Sequence, residues 1–450
     1  MRWTKLVKIL GDLFIINFSF YLAFLIRFEG RIPTVNWQAY WTSAIWITLV
    51  AFILFYSYGL YVGGRHQWIE IFAALVWVVV LTSLFGIALS YMLQKYTFPR
   101  SVFILTAPLQ LLLLSAWRYG LWRYSIWRQG VLTLVVVGPH EAASARARQL
   151  HSDGGRLYRV VGLVVEPGAA PAPGDLEVPV RGTYEELGKI LDESRPRAVM
   201  LCDGLPLEQR ERMLREVTAR NLAVFIVPDI YEILLSQSRM GHLDGIPILR
   251  VDGFTYAPSG AWKRIFDIAL SLFLGVVAVP LILLAAVAIK IESPGGPVFY
   301  RQWRVGQGGR VFRLIKLRTM VPDAEKLTGP VLATAEDPRV TRVGRVLRAT
   351  RIDELPQLWN VLKGEMSFIG PRPERPVFVE QFKKEVPGYD WRHRLPVGIT
   401  GLAQILGRYS TTPADKLRYD LLYAKTLSPL NDVQILLHTL KVMLIRDKAS

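Results

Sequence analysis

Long apolar runs open the chain, and the pattern then changes twice. Residues 6–26, 41–61, 71–93 and 102–117 are four nearly unbroken apolar segments. Each is about the 20 residues that a bilayer-crossing helix needs. From Val131 the apolar runs shorten to strand length. VLTLVVVG, RVVGLVVE, RAVMLCD and LAVFIVPD read as buried strands, with EAASARARQL, TYEELGKILDES and LEQRERMLREVTAR as helices. Strands alternating with helices predict a parallel sheet in an α/β domain. GAAPAPGD, residues 168–175, reads as a surface loop by its Pro and Gly content.

A fifth apolar run covers residues 265–289. Its length alone would make it a fifth span. Three features predict instead a bent helix that enters and leaves by one face. Pro280 sits mid-run, where it removes a backbone hydrogen bond. Lys263 and Arg264 precede the run, and Lys290, Arg301 and Arg304 follow it. Both ends are therefore basic and favour the cytoplasmic side. Finally, four spans return the chain to its starting side, and a fifth would export all that follows. Arg2, Lys5 and Lys8 before the first span, with Arg118, Arg123 and Arg128 after the fourth, put both ends of that region inside. Arg27, Arg31, Lys95 and Arg100 in the intervening loops dilute the bias. No A-x-A cleavage site follows the first run, so it is expected to be retained.

The predicted fold class is a membrane protein of α plus α/β type. A four-helix transmembrane region occupies residues 1–128, and a Rossmann-like α/β domain of structural or regulatory role occupies 129–258. A third domain fills 259–450, with its re-entrant helix at about 264–290.

Charge changes this picture only by naming the neighbours. The chain is 51% hydrophobic and carries a net charge of +17. That pairing fits a membrane protein whose basic residues face an anionic leaflet. Nucleic acid, the other common partner of a basic chain, leaves the apolar runs unexplained and is not expected here. The only cysteine is Cys202, so there is no intramolecular disulfide and no cysteine-rich metal site. Six scattered histidines without an HExxH spacing argue against zinc and Ser-His-Asp chemistry. In VVVGPHEAAS only Gly138 survives of a G-x-G-x-x-G fingerprint, and Pro139 and Ala142 fill the turn. Dinucleotide binding is not expected there. A membrane-tethered nucleotide-sugar epimerase or dehydratase would need that fingerprint and a Tyr-x-x-x-Lys pair in the same domain, and neither is present. A membrane scaffold or sensor is the non-enzymatic alternative.

The third domain carries the candidate chemistry. VFYRQWRV and RVFRLIKLRTM flank GQGG and predict a hairpin, bearing Arg301, Arg304, Arg310, Arg313, Lys316 and Arg318. In TRIDELPQLWN, residues Ile352, Leu355, Leu358, Trp359 and Leu362 recur at helical spacing. Pro356 then belongs in the first turn, with Asp353 near the N-cap and Glu354 in that turn. The acids are either ordinary helix-start residues or a reactive pair. Arg342, Arg345, Arg348 and Arg351 lie upstream, and Arg372 is held between prolines in IGPRPERP. Guanidinium groups suit phosphate oxygens. A carboxylate among them can attack phosphorus, and its neighbour can hold Mg²⁺ against the same phosphates. Two acids suffice for phosphoryl transfer without being specific to it. Near the C-terminus, DVQILLHTLKVMLIRDK has an apolar face with basic ends, as a surface-lying helix or a core helix.

KRIFD, SPGGPVFYRQWRVG, FRLIKLRTM, RIDELPQLWNVLKGEMSFIGPRP and PVGITGLAQILGR occur in this order between about residues 261 and 445. This part closely resembles the bacterial sugar transferases called monotopic phosphoglycosyl transferases, or polyprenyl-phosphate hexose-1-phosphate transferases. The whole chain resembles the large members that begin O-antigen, capsule or exopolysaccharide synthesis. The resemblance implies that a UDP-sugar is attacked at its β-phosphate and that UMP leaves. The phosphosugar held on the enzyme then passes to undecaprenyl phosphate. It implies Asp353 as nucleophile, Glu354 with Asp353 at Mg²⁺, and phosphate or nucleotide contacts from Lys316, Arg348, Arg372, Arg408 and Arg304. Lys263 and Asp267 match the start of the re-entrant helix and Pro280 its break. Many members have Ser before that proline, whereas this chain has Val279. The implied setting is the bacterial inner membrane with the catalytic domain facing the cytoplasm, and the extra membrane region leaves surface for a homodimer.

Overall fold

The computed structural model describes residues 2–62, 66–93, 98–154, 157–168, 178–236, 239–243, 246–250, 261–322, 324, 337–407 and 411–445. They fall into two compact units, Met1–Glu232 and Ile233–Ser450.

The first unit begins with four long helices: α1 (Arg2–Arg27), α2 (Thr34–Ser57), α3 (Trp68–Met92) and α4 (Arg100–Gln129). They cover the four apolar runs. The fourth extends well past the apolar segment, because Arg118, Arg123 and Arg128 continue the helical winding. Large apolar side chains such as Phe14, Ile45, Ile104 and Leu112 point outward, as expected of helices whose solvent is lipid. Inside, Phe20, Phe24, Tyr40, Phe98 and Phe103 form an aromatic core. A buried ion pair joins α1 to α4: Arg118 Nε donates to Asp12 Oδ1 at 3.0 Å, and its Nη1 to the Leu60 carbonyl at 3.0 Å.

The unit ends in a parallel five-stranded sheet: β1 (Leu132–Val137), β2 (Tyr158–Val165), β3 (Val180–Thr183), β4 (Ala198–Leu201) and β5 (Ala223–Ile226). The strand order is β3-β2-β1-β4-β5, that of a Rossmann-like half-sheet. Helices α5 (His140–Gly154), α6 (Leu187–Ser194) and α7 (Leu207–Ala219) are its crossovers. The sequence missed β3, a four-residue strand with no apolar run of its own. Most of the predicted GAAPAPGD loop lies outside the described residues. At the β1–α5 turn the helix N-terminus already holds an anion of its own. Glu166 Oε2 accepts the His140 backbone N–H at 2.8 Å, the position where a dinucleotide phosphate would bind. Gly138 is required for packing, since a Cβ there would meet Cys202 Cβ at 2.5 Å.

The short helix α8 (Ile230–Leu235) and the hairpin β6 (Arg239–Leu243) and β7 (Ile246–Arg250) come next. In the second unit the fifth apolar run is one helix, α9 (Ala261–Glu292), with Pro280 inside it. At 32 residues it is about 48 Å long, more than a bilayer's hydrocarbon thickness. With α1–α4 it makes five helices long and apolar enough to cross a membrane among the described residues. One stripe of α9, including Ala278, Ala285 and Ile289, is buried, while Phe273, Val276 and Ile291 are about three-quarters exposed. The predicted hairpin follows as β8 (Phe299–Val305) and β9 (Val311–Leu317), antiparallel in register Phe299 to Leu317.

Helices α10 (Arg342–Ala349) and α11 (Gln357–Lys363), strand β10 (Ser367–Ile369), helix α12 (Pro376–Glu385), strand β11 (Gly398–Thr400), and helices α13 (Leu402–Leu406), α14 (Pro413–Lys425) and α15 (Pro429–Met443) complete the unit. Phe312, Leu314, Leu358, Val361, Phe368, Leu395 and Ile435 close one core with Ala278 of α9. Helix α15 packs one face into this core. Ile435 and Val442 are buried, and Leu430, Val433 and Met443 are exposed.

Candidate active site

The turn that carries the two acids is built differently from the sequence expectation. Thr341 Oγ1 caps α10 by accepting from Gly344 N at 2.9 Å. Glu292, the last residue of α9, accepts from Arg342 N and Val343 N at 2.8 and 2.9 Å. The long apolar helix thus fixes the start of the short one that leads into the site. Arg351 then adopts a left-handed conformation, φ 60°, which ends α10. Ile352–Glu354 form a separate 3-10 turn, and α11 begins only at Gln357, with Pro356 as its cap. Asp353 and Glu354 are therefore not in the first turn of an amphipathic helix. Trp359, expected on its apolar face, is exposed, and the inner face is Leu358, Asn360 and Val361. Asn360 fastens that face to β9: its Oδ1 accepts from Ile315 N at 3.1 Å and its Nδ2 donates to Arg313 O at 2.8 Å.

Three predicted residues converge on Glu354. Lys316 Nζ and Arg372 Nη2 each lie 2.8 Å from Glu354 Oε1, and Arg351 Nη1 is 3.9 Å from the same oxygen. The β9 strand presents Lys316. Arg372 is presented by a stiff loop that crosses β11 at very short range. Gly370 N donates to Thr400 O at 2.9 Å and Gly398 N to Pro371 O at 2.9 Å. A Cβ on Gly370 would lie 1.9 Å from the Pro396 carbonyl, so only glycine fits. Arg392 holds the same loop from behind by donating to the Arg372 carbonyl at 3.1 Å. The Arg372 side chain is 40% exposed and that of Glu354 only 12%, so the cationic side of the cluster faces solvent.

The two neighbouring acids differ sharply. Burial alone would raise the Glu354 carboxyl, but Arg372 and Lys316 outweigh it and hold it well below the usual range. Asp353 is raised, chiefly by burial and then by the Glu354 charge, against the pull of Lys316, Arg348 and Arg351. Its Oδ1 is sealed from solvent and has no hydrogen-bond partner among the described residues. Burial lowers Lys316 despite its carboxylate partner. Glu354 thus has one oxygen shared by two cations and a lowered carboxyl, and Asp353 is a raised carboxylate with a buried, unmet oxygen. No group of three or more metal-ligating side chains occurs among the described residues, so there is no all-protein metal cage. One or two carboxylates completed by substrate phosphates is the ordinary way to hold Mg²⁺, and the Asp353–Glu354 pair with its open oxygen fits that role.

Other predicted residues lie further out. Arg348 Nε donates to Thr319 Oγ1 at 2.9 Å and reaches Asp353 only through its charge. Arg304 does not join the Glu354 cluster. It donates to the Pro373 carbonyl at 3.0 Å and lies 3.8 Å from Glu374, so it braces the Arg372 loop. Arg408 lies outside the described residues. Lys263 and Asp267 anchor α9 to the domain. Lys263 Nζ lies 2.6 Å from Asp432 Oδ2 and 3.0 Å from Tyr423 Oη. Asp267 Oδ1 accepts from Ser367 Oγ and Phe368 N, both at 3.0 Å. Sequence reasoning found one end of each contact and missed Asp432, Tyr423 and Ser367, which lie about 100 residues or more away along the chain.

Residues 258–446 match the family model described as bacterial sugar transferase. The chain is 41% identical over 238 residues to a UDP-N-acetylgalactosamine-undecaprenyl-phosphate N-acetylgalactosaminephosphotransferase of Aeromonas hydrophila, covering 52% of this chain and 55% of that protein. It is 34% identical over 295 residues to a UDP-glucose:undecaprenyl-phosphate glucose-1-phosphate transferase of Escherichia coli, covering 63% of this chain and 61% of that one. It is 30% identical over 336 residues to a UDP-galactose-lipid carrier transferase of Erwinia amylovora, covering 70% and 69%. The matches thus span about half to two-thirds of these relatives' lengths.

Proposed function

This chain belongs to the bacterial sugar transferase family, and we propose that it transfers a sugar-1-phosphate from a UDP-sugar to undecaprenyl phosphate with release of UMP. The observation that carries the reading is the contrast between Glu354, whose Oε1 is shared by Lys316 and Arg372, and Asp353, whose Oδ1 is buried without a partner. A carboxylate stripped of hydrogen bonds and raised by burial is the better nucleophile. In the first half-reaction an Asp353 oxygen bonds to the β-phosphorus of the donor. The bond from that phosphorus to the bridging oxygen breaks, and UMP leaves with the electron pair. In the second, a phosphate oxygen of the lipid bonds to the same phosphorus and Asp353 departs as carboxylate. The product is undecaprenyl-diphospho-sugar.

Lys316 and Arg372 offset the charge of the entering phosphates, and the exposure of Arg372 lets it meet them first. Mg²⁺, held by Glu354 and Asp353, would supply further neutralisation between the anionic nucleophile and the anionic donor. The lipid phosphate sits at the headgroup plane and the donor in the cytosol, so a site at the inner surface meets both. Helix α9 serves that placement as a re-entrant anchor. Its basic ends, Lys263 with Arg264 and Lys290, lie on either side of Pro280, and burying one of its stripes in the catalytic core leaves the remainder for lipid. The relatives' names carry three different sugars, so the donor is found by assay. Full-length protein in vesicles with undecaprenyl phosphate is offered UDP-glucose, UDP-galactose and their N-acetylated forms. UMP release with at least one is expected. Release with none, while a nucleotide-sugar epimer or dehydration product accumulates, contradicts the reading.

A further inference from the structure

One buried side chain beside the nucleophile has no part in the reaction above. Gln357, the first residue of α11, is 2% exposed. Its amide Nε2 is sealed from solvent with no hydrogen-bond partner among the described residues. Asp353 Oδ1, four residues earlier, is sealed and unmet in the same way. Asp353 lies in the 3-10 turn and Gln357 opens α11, and the backbone between them keeps turning right-handed through three-residue bonds: Leu355 N donates to Ile352 O, Leu358 N to Leu355 O and Trp359 N to Pro356 O. Residues one helical turn apart are neighbours, and glutamine–aspartate hydrogen bonds are among the pairs that form there. A donor and an acceptor both left unmet in a protein interior are each costly. The cations that act on Asp353 have partners of their own. Lys316 and Arg372 bind Glu354, and Arg348 binds Thr319.

We propose, resting on the reaction above, that Gln357 is a positioning residue for Asp353: its amide closes on Oδ1 once substrate fills the site and holds the carboxylate through the second half-reaction. The two half-reactions make opposite demands. Asp353 gives up an electron pair when it bonds to phosphorus and recovers it when that bond breaks. A donor on Oδ1 stabilises the carboxylate as it departs and gives no help to its attack. Loss of Gln357 therefore slows transfer to the lipid more than it slows capture of the phosphosugar.

The test uses the full chain in vesicles, the active UDP-sugar labelled in its β-phosphate, and a chase with undecaprenyl phosphate. Gln357→Met keeps size and burial and removes the donor. The expected result is a UMP burst within about twofold of wild type and a labelled protein chased about tenfold more slowly, the effect of one lost hydrogen bond in a transition state. Its melting temperature should hold or rise, because an unmet buried amide has been removed. A wild-type chase rate, or both steps slowed equally with a fallen melting temperature, overturns the role. If wild-type protein releases no UMP from any donor, the reaction itself fails, and the role with it. A normal wild-type cycle with an unaltered Gln357→Met chase overturns the role alone.

Discussion

Asp432 and Asp353 are both buried carboxylates near lysine or arginine, in the same unit, and they are treated in opposite ways. Asp432 has both oxygens occupied, Oδ2 by Lys263 at 2.6 Å and Oδ1 by Tyr423 Oη at 2.8 Å. Asp353 has one oxygen that nothing meets, and its cationic neighbours spend themselves on Glu354 instead. A saturated buried charge anchors, as Asp432 does for α9. An unmet one leaves a buried acceptor waiting for a partner. The same contrast separates the Asp353 turn from the β1–α5 turn of the first unit, where Glu166 fills the helix N-terminus.

The comparison is broken most forcefully at the anchor. Lys263→Met leaves Asp432 buried without its cation, which costs about 3–5 kcal/mol. Thermal melting of the purified protein should register it as a clear fall in midpoint. The double change with Asp432→Leu should recover much of the loss, since paired apolar replacement of a buried ion pair is commonly close to neutral. A silent Lys263→Met would mean that the pair does not hold α9. At the site the effect moves from stability to rate. Glu354→Gln keeps the shape but removes the charge that organises Lys316 and Arg372, and UMP release should fall about a hundredfold with melting little changed. Wild-type release would deny Glu354 its role.

The smallest effect is in pH. Burial raises Asp353 above the ordinary aspartate value of 3.8, and protonation removes the nucleophile. UMP release should therefore fall as pH falls through a limb lying above 3.8. Glu354 is held below its ordinary 4.5 and stays ionised across that limb. A limb at or below 3.8 would mean that Asp353 is not the desolvated group.

Much of this was legible in the chain. Apolar runs of span length, short strands alternating with helices, and the GQGG hairpin are local signals, and each element formed where its pattern lay. Glu354 and Arg372 were picked out by type and setting and Lys316 by the family resemblance, and they meet. What escaped depends on contacts between distant segments. Nothing beside Lys263 announces Asp432, and nothing beside Asn360 announces that it ties α11 to β9. The acids were misplaced because helical periodicity carried the reading through Arg351, whose left-handed backbone breaks the winding and sets a 3-10 turn apart. Arg304, expected among the phosphate contacts, instead donates to the Pro373 carbonyl and lies beside Glu374 in this structure, a pairing of segments that its place in the hairpin does not announce.

The account turns on whether Asp353 itself carries the phosphosugar. Protein incubated with the active UDP-sugar and no lipid, quenched in acid and digested, should yield one modified peptide containing residue 353, heavier by the phosphosugar of that donor, with the adduct released by hydroxylamine. Asp353→Asn should yield none. Label on any other residue, or full turnover by Asp353→Asn, would contradict the claim.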